Sequence, residues 1–200
     1  MYFLFRVSRI IPLSVCVLCV TSISYFYGLM CLSGCTPDHF IKKETDFSNV
    51  KSVAVLPFEN FTSDTYAGEK IRRIVITELL SKGIDVIEPG EVTKLLMELR
   101  VRSLGSIRLS EIKKIGETLD VDAVMRGSVE AFGISSGYSV KYPEVTINLM
   151  LIDTSSGNII WSVRHTSGGA SFWTRHFGTE GISLSEAARK VVREAVDTLF

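Results

Sequence analysis

The side chains with most chemical potential in this sequence are three histidines, one serine–lysine pair and four cysteines. His39, His165 and His176 stand far apart, and no spacing joins any of them to other ligands. A metal centre needs convergent donors backed by carboxylates, so neither a metal nor histidine-based catalysis is expected. Ser110 and Lys113 have the serine-x-x-lysine spacing of some acyl-transfer enzymes. The companion motifs of that chemistry are missing, and Ser110 suits the start of a helix. No glycine-rich phosphate cradle of the known nucleotide-binding forms occurs. Asn60-Phe61-Thr62 has the form of a glycosylation site but reads more simply as a turn beside a strand. No catalytic residue and no cofactor are therefore expected, and the chain is not expected to be an enzyme.

The cysteines point to a different chemistry. Cys16, Cys19, Cys31 and Cys35 all precede residue 36, and no cysteine follows. Cys16-x-x-Cys19 lies inside an apolar run, where the pair acts as small hydrophobes rather than as a redox couple. Arg6 and Arg9 precede a stretch without charge from residue 10 to residue 37. A basic start, an apolar centre and a small-residue exit describe an export signal, although the length would also serve an anchoring helix. Leu32-Ser33-Gly34-Cys35 resembles the lipobox of bacterial lipoproteins. There the signal is cut before the cysteine, whose thiol takes lipid at the membrane surface. Residues 1–34 are accordingly read as a signal peptide and Cys35 as the lipidated residue. Two or three acyl chains on one cysteine suffice for stable anchoring. Thr36, not aspartate, follows Cys35, which by resemblance to enterobacterial sorting favours the outer membrane, with the domain facing the periplasm.

The chain has 200 residues, with 22 basic and 22 acidic side chains and a formal charge of zero. Without its first 35 residues, which hold two arginines and no acid, 20 basic and 22 acidic residues remain, near −2. That balance excludes a basic nucleic-acid binder, an acidic tail protein and a charge-driven disordered chain. The hydrophobic share of 46% is ordinary for a globular protein; the mean hydropathy of +0.26 is raised by the N-terminus. About 165 residues are enough for one domain with its own core. Residues 36–51 are polar with little periodicity and read as a tether with a reach of about 20–25 Å. The expected organisation is therefore a signal at 1–34, a lipidated cysteine and tether at 35–51, and one domain at 52–200.

Within that domain, residues 53–58 form a short unbroken apolar run, the mark of a strand covered on both faces. A loop at 59–65 follows that strand's C-terminal end, where open α/β sheets often bind ligands. A solvated connector is the simpler role for it. A helix is expected over 66–81, with Ile71, Ile74, Val75 and Leu79 on one face, then a strand at 84–87. Pro89-Gly90 opens a second helix in which Val92, Leu95, Leu96 and Leu99 keep the i, i+3, i+4, i+7 spacing. A third helix spans 110–119, with Ile112, Ile115 and Leu119 inward. Strands follow at 123–134, 145–153 and 158–166, the last two joined by a turn at Thr154-Ser155-Ser156-Gly157. Ser183 with Glu186 marks a capping box for a final helix with Leu184, Ala187, Ala188, Val191, Val192, Ala195 and Leu199 on one face. The order β-α-β-α-α-β-β-β-α implies an α/β domain with a mixed sheet of about five strands, parallel early and an antiparallel meander late, packed by about four helices.

Four stretches taken together resemble the curli-export lipoprotein (CsgG-type) superfamily, which includes accessory lipoproteins of exopolysaccharide export and of penicillin-binding-protein activation. They are VAVLPFENFT at 53–62, VITELLSKGIDVIEPGEVTKLLMEL at 75–99, IGETLDVDAVMRGSVEAFG at 115–133 and INLMLIDTSSGNIIWS at 147–162. The resemblance implies an envelope lipoprotein without catalysis, a structural or accessory part of an export or assembly system, possible as a homo-oligomeric ring. The alternative it leaves open is a monomeric lipid-anchored module that docks on a periplasmic or peptidoglycan-synthesising partner. The curli channel's two extra hairpins have no counterpart here. A membrane-spanning strand needs about 9–11 alternating residues; residues 135–143 read as a short loop, and 167–181 are too few for a pair. A curli-type pore is therefore not expected.

Phe172, Trp173 and Arg175 stand out among the Gly, Ser and Thr of that last segment. The aromatic rings suit a membrane interface and the arginine a lipid phosphate. Burial beneath the last helix and a subunit contact are the other placements open to them.

Overall fold

The apolar run at 53–58 is buried because helices cover the sheet from both sides at that point. The computed structural model describes residues 38–42, 47, 50–136, 141–168 and 182–199. Among them one mixed sheet holds seven strands: β1 (Asp38–Ile41), β2 (Ser52–Val55), β3 (Glu59–Asn60), β4 (Asp85–Val86), β5 (Ala123–Ser136), β6 (Lys141–Asp153) and β7 (Ile159–Gly168). Four helices accompany it: α1 (Ala67–Ser81), α2 (Pro89–Glu98), α3 (Leu109–Leu119) and α4 (Leu184–Val196). The strand order is β1-β7-β6-β5-β2-β4, with β3 beside β5. β2 runs parallel to β4 and β5, whereas β5, β6, β7 and β1 are antiparallel.

Side-chain alternation along β2 divides the interior in two. Val53 and Val55 join a large apolar cluster with α1 and α4, while Ala54 and Leu56 join a smaller one with α2 and α3. The helix faces read from the sequence turn to the core: Ile71, Val75 and Leu79 on α1, Val92, Leu95 and Leu96 on α2, and Ile112 and Ile115 on α3 are buried, with Ile74, Leu99 and Leu119 half-buried beside them. Trp161 is fully buried, and its Nε1–H donates to Thr198 Oγ1 at 3.0 Å, which ties β7 to the end of α4. Asp122 fastens the start of β2: its Oδ2 accepts from the backbone of Lys51 at 2.8 Å and of Ser52 at 2.9 Å. Gly116 lets α3 lie on Thr154, whose hydroxyl donates to the carbonyls of Val121 and Asp122 at 2.8 and 2.9 Å.

The α/β class, the four helices and the parallel-then-antiparallel order agree with the sequence expectation. Two strands are additional. β1 lies inside the stretch expected to be tether and pairs with β7, Asp38 opposite Arg164 and Ile41 opposite Trp161. β3 occupies the start of the expected 59–65 loop, with Glu59 and Asn60 opposite Ser128 and Val129. Residues 135–143 are also not a plain loop: β5 runs on to Ser136 and β6 begins at Lys141. Ser135 and Glu144 bond across that extension.

Candidate functional site

Cys35, Phe172, Trp173, Arg175 and His176 lie outside the described residues. The sheet fixes where their flanking chain enters and leaves. β1 begins three positions after Cys35, β7 ends at Gly168, and α4 begins at Leu184. Ser183 caps that helix, its Oγ accepting from the Glu186 N–H at 3.2 Å.

The remaining candidates from the sequence are not brought together. Ser110 and Lys113 are exposed on α3, and His39 sits in β1. His165 is buried in β7, with its Nε2 2.8 Å from Glu194 Oε2 on α4. This contact joins strand to helix. No group of three or more histidine, cysteine, aspartate or glutamate side chains suited to a metal occurs among the described residues. The segment at 59–65 is occupied by its own structure. Asn60 Oδ1 accepts from the Thr62 N–H at 3.0 Å and hydroxyl at 2.8 Å, and Asn60 Nδ2 donates to Asp64 O at 2.7 Å. Beneath it, buried Arg72 donates through Nε and Nη2 to Val55 O at 3.1 and 2.7 Å. Burial pushes the Arg72 pKa down, against the opposing pull of Glu69 and Glu88. The C-terminal end of β2 is thus filled by a guanidinium rather than open to a ligand.

Open surfaces among the described residues include two with grouped polar side chains. The first is the part of the sheet that α2 and α3 leave uncovered. Arg164 and Thr166 of β7 are exposed there, and Arg164 Nε and Nη2 donate to Glu130 Oε2 at 3.0 and 2.8 Å across the strands. Thr146 and Thr166 share a hydroxyl hydrogen bond of 3.0 Å. Alternation produces this polar face: the same strands turn Val145, Ile147, Leu149 and Val163 to the large core on the other side.

The second is a cleft of about 530 Å³ at the α2–α3 connector, lined by Arg100, Arg102, Ser103, Ser106, Arg108 and Glu111 among others. Glu111 is held by Arg108, whose Nη2 and Nε lie 2.8 and 3.2 Å from Oε1, and by the Arg108 backbone N–H at 2.7 Å from Oε2. The side-chain bond from Arg108, then its backbone bond, hold the Glu111 carboxyl below its usual pKa. Arg100 and Arg102 form no ion pair among the described residues. This cluster belongs to no catalytic, metal-binding or nucleotide-binding motif of the sequence. Its signal is the run Val101-Arg102-Ser103-Leu104-Gly105-Ser106-Ile107-Arg108, apolar at every third position.

No helix among the described residues is long and apolar enough to cross a membrane. Comparison with solved structures finds the same fold in the PelC dodecamer of Paraburkholderia phytofirmans. The identity is 22% and the TM-score 0.55, over 80% of this chain and 96% of that one. Lipoprotein GNA1162 of Neisseria meningitidis is similar at 18% identity and a TM-score of 0.54, over 74% and 96% of the two chains. The hypothetical protein CT253 of Chlamydia trachomatis gives 11% identity and a TM-score of 0.51, over 75% and 95%. No curated protein sequence matches the chain. The family model described as curli production assembly/transport component CsgG matches residues 40–198. The four sequence stretches, the mixed sheet they build and this match along nearly the whole domain agree, and the chain belongs to the CsgG family.

Proposed function

We propose that this chain is a bacterial envelope lipoprotein, cut before Cys35 and lipidated there, and held at the outer membrane with its domain facing the periplasm. It acts without catalysis, as a structural or accessory component of an export or assembly system. The observation that carries this reading is the CsgG family match over residues 40–198 directly behind Leu32-Ser33-Gly34-Cys35, which resembles a lipobox. The likeness of fold to a protein that crystallised as a dodecamer supports self-association into a ring. Phe172, Trp173 and Arg175 are the residues we assign to the membrane or subunit contact.

The test is the native mass of the full-length lipidated protein in mild detergent. A discrete mass of many subunits is expected. A single-subunit mass would overturn the ring and leave the monomeric module that docks on a periplasmic or peptidoglycan-synthesis partner. The anchor is tested separately: Cys35→Ala should leave an uncleaved precursor or release the protein from the membrane, and a mature, still lipid-labelled variant would refute the assignment of Cys35.

A further inference from the structure

We propose that the α2–α3 connector is a binding site for a phosphate group, with Arg100 and Arg102 as its cationic ligands and Ser103 and Ser106 as hydroxyl donors. Arg100 closes α2 in a Schellman turn. Its N–H donates to Met97 O at 3.0 Å, and that of Val101 to Leu96 O at 3.0 Å. Arg100 takes the left-handed position of that turn, with φ at 53°. Glycine is the usual occupant, and a residue with a Cβ is disfavoured there. A strained non-glycine residue of this kind is a recurrent sign of use.

The connector is pinned from beneath. Val101, Leu104 and Ile107 pack on the smaller core, and Arg126 Nη2 donates to Gly105 O at 3.0 Å. A side chain at Gly105 would collide with the Glu59 carboxylate, so the loop seats closely against β3. With every third residue turned inward, Arg100, Arg102, Ser103, Ser106 and Arg108 are left exposed around the cleft.

Charge selects the ligand. Glu111 neutralises Arg108, which leaves Arg100 and Arg102 without a carboxylate among the described residues. The Ser103 and Ser106 hydroxyls likewise make no hydrogen bond among them. A phosphomonoester carries about −1.5 to −2 at neutral pH and three acceptor oxygens, which matches two guanidinium forks and two hydroxyls. A carboxylate would bring one charge and two oxygens, leaving one arginine unmatched. The cleft of about 530 Å³ also has room for the sugar- or glycerol-sized remainder of an ester, within the size range of small-molecule sites. The same group can come from a soluble phosphate monoester or from a lipid whose headgroup is a phosphomonoester, such as phosphatidic acid.

The experiment is a calorimetric titration of inorganic phosphate, and then glycerol 3-phosphate, into the full-length chain in neutral detergent at fixed ionic strength. Saturable binding at one site per chain is expected. Arg102→Ala should weaken it about tenfold, the scale of one charge-assisted hydrogen bond, and Arg100→Ala/Arg102→Ala should abolish it. Arg189→Ala, in a separate surface groove with Lys190 and Arg193, should leave it unchanged. Micelles doped with phosphatidic acid, whose headgroup is a phosphomonoester, separate the two sources. A weakened phosphate affinity in them assigns the site to a lipid headgroup, and an unchanged one to a soluble ester. No saturable binding, or equal loss in Arg189→Ala and Arg102→Ala, overturns the proposal. Arg102 is exposed and unpaired, so its variant is expected to fold, as a thermal scan would verify.

Discussion

Replacing Arg100 with glycine should make the protein more stable. A residue with a Cβ in the left-handed helical region costs about 1–2 kcal/mol. Glycine relieves that cost but gives up about 0.5–1 kcal/mol in the greater freedom of its unfolded chain. No ion pair or hydrogen bond of the Arg100 side chain is lost among the described residues, and its neighbours in the cleft, Arg102 and Arg108, are like charges. Both Schellman hydrogen bonds are made by backbone atoms and survive the substitution. The net gain is therefore about 0.5–1 kcal/mol. In a body of this size, where 1 kcal/mol moves the melting temperature by about 2–4 °C, the melting temperature should rise by about 1–4 °C. Arg100→Ala is the decisive companion, since it removes the same side chain but keeps the Cβ and should give no such gain. Thermal unfolding of the three full-length proteins in one detergent, followed by far-ultraviolet circular dichroism, measures both shifts. If Arg100→Gly melts below the parent protein, or if glycine and alanine act alike, the left-handed strain assigned to Arg100 is refuted.

Asp122→Ala removes the acceptor that holds the backbone N–H groups of Lys51 and Ser52 and, since these bonds are exposed to solvent, should lower stability by about 1 kcal/mol near neutral pH. Burial raises the Asp122 pKa, but the bonds from Lys51 and Ser52 outweigh it and leave it below the ordinary value. Its contribution is thus present above the unfolded carboxyl's pKa of about 3.9 and lost as pH falls through the lower folded value. Urea midpoints of parent and variant should converge in acid, and a gap independent of pH would contradict the role given to the carboxylate. Gly116→Ala would place a Cβ against the Thr154 Cβ and should cost about 1–3 kcal/mol by overpacking. Gly133→Ala, which meets nothing within 4 Å, should not; comparable melting losses in the two would refute the close approach of α3. Trp173→Ala should leave the melting temperature unchanged and weaken vesicle binding or self-association. A large cooperative loss of stability would instead favour burial under α4.

Strong local periodicity made most of the architecture legible. The α1, α2 and α4 stripes and the apolar 53–58 run each announce their burial, and Gly157, at φ 73°, ends a turn that Asp153 organises through Ser155 and Ser156. β1 and β3 were not legible, because four and two residues are too few to carry a period; their pairing is supplied by β7 and β5. His165 also escapes local reading, since Glu194, its partner, lies 29 positions away. The arginine cleft was hidden for another reason. Its residues read singly as a solvated loop, and only the packing of Val101, Leu104 and Ile107 shows that the charges share a side.

The two interiors separated by β2 are unequal, and that difference has a consequence for how the domain breathes. The cluster under α1 and α4 contains most of the buried apolar residues; the one under α2 and α3 contains far fewer. A layer held by less apolar contact opens at lower free energy than the whole. The amides of α2, the connector and α3 should therefore exchange with solvent deuterium as one unit, ahead of β5, β6, α1 and α4. A ligand seated among the arginines would slow that unit's exchange alone, leaving the remainder of the molecule at its own rate.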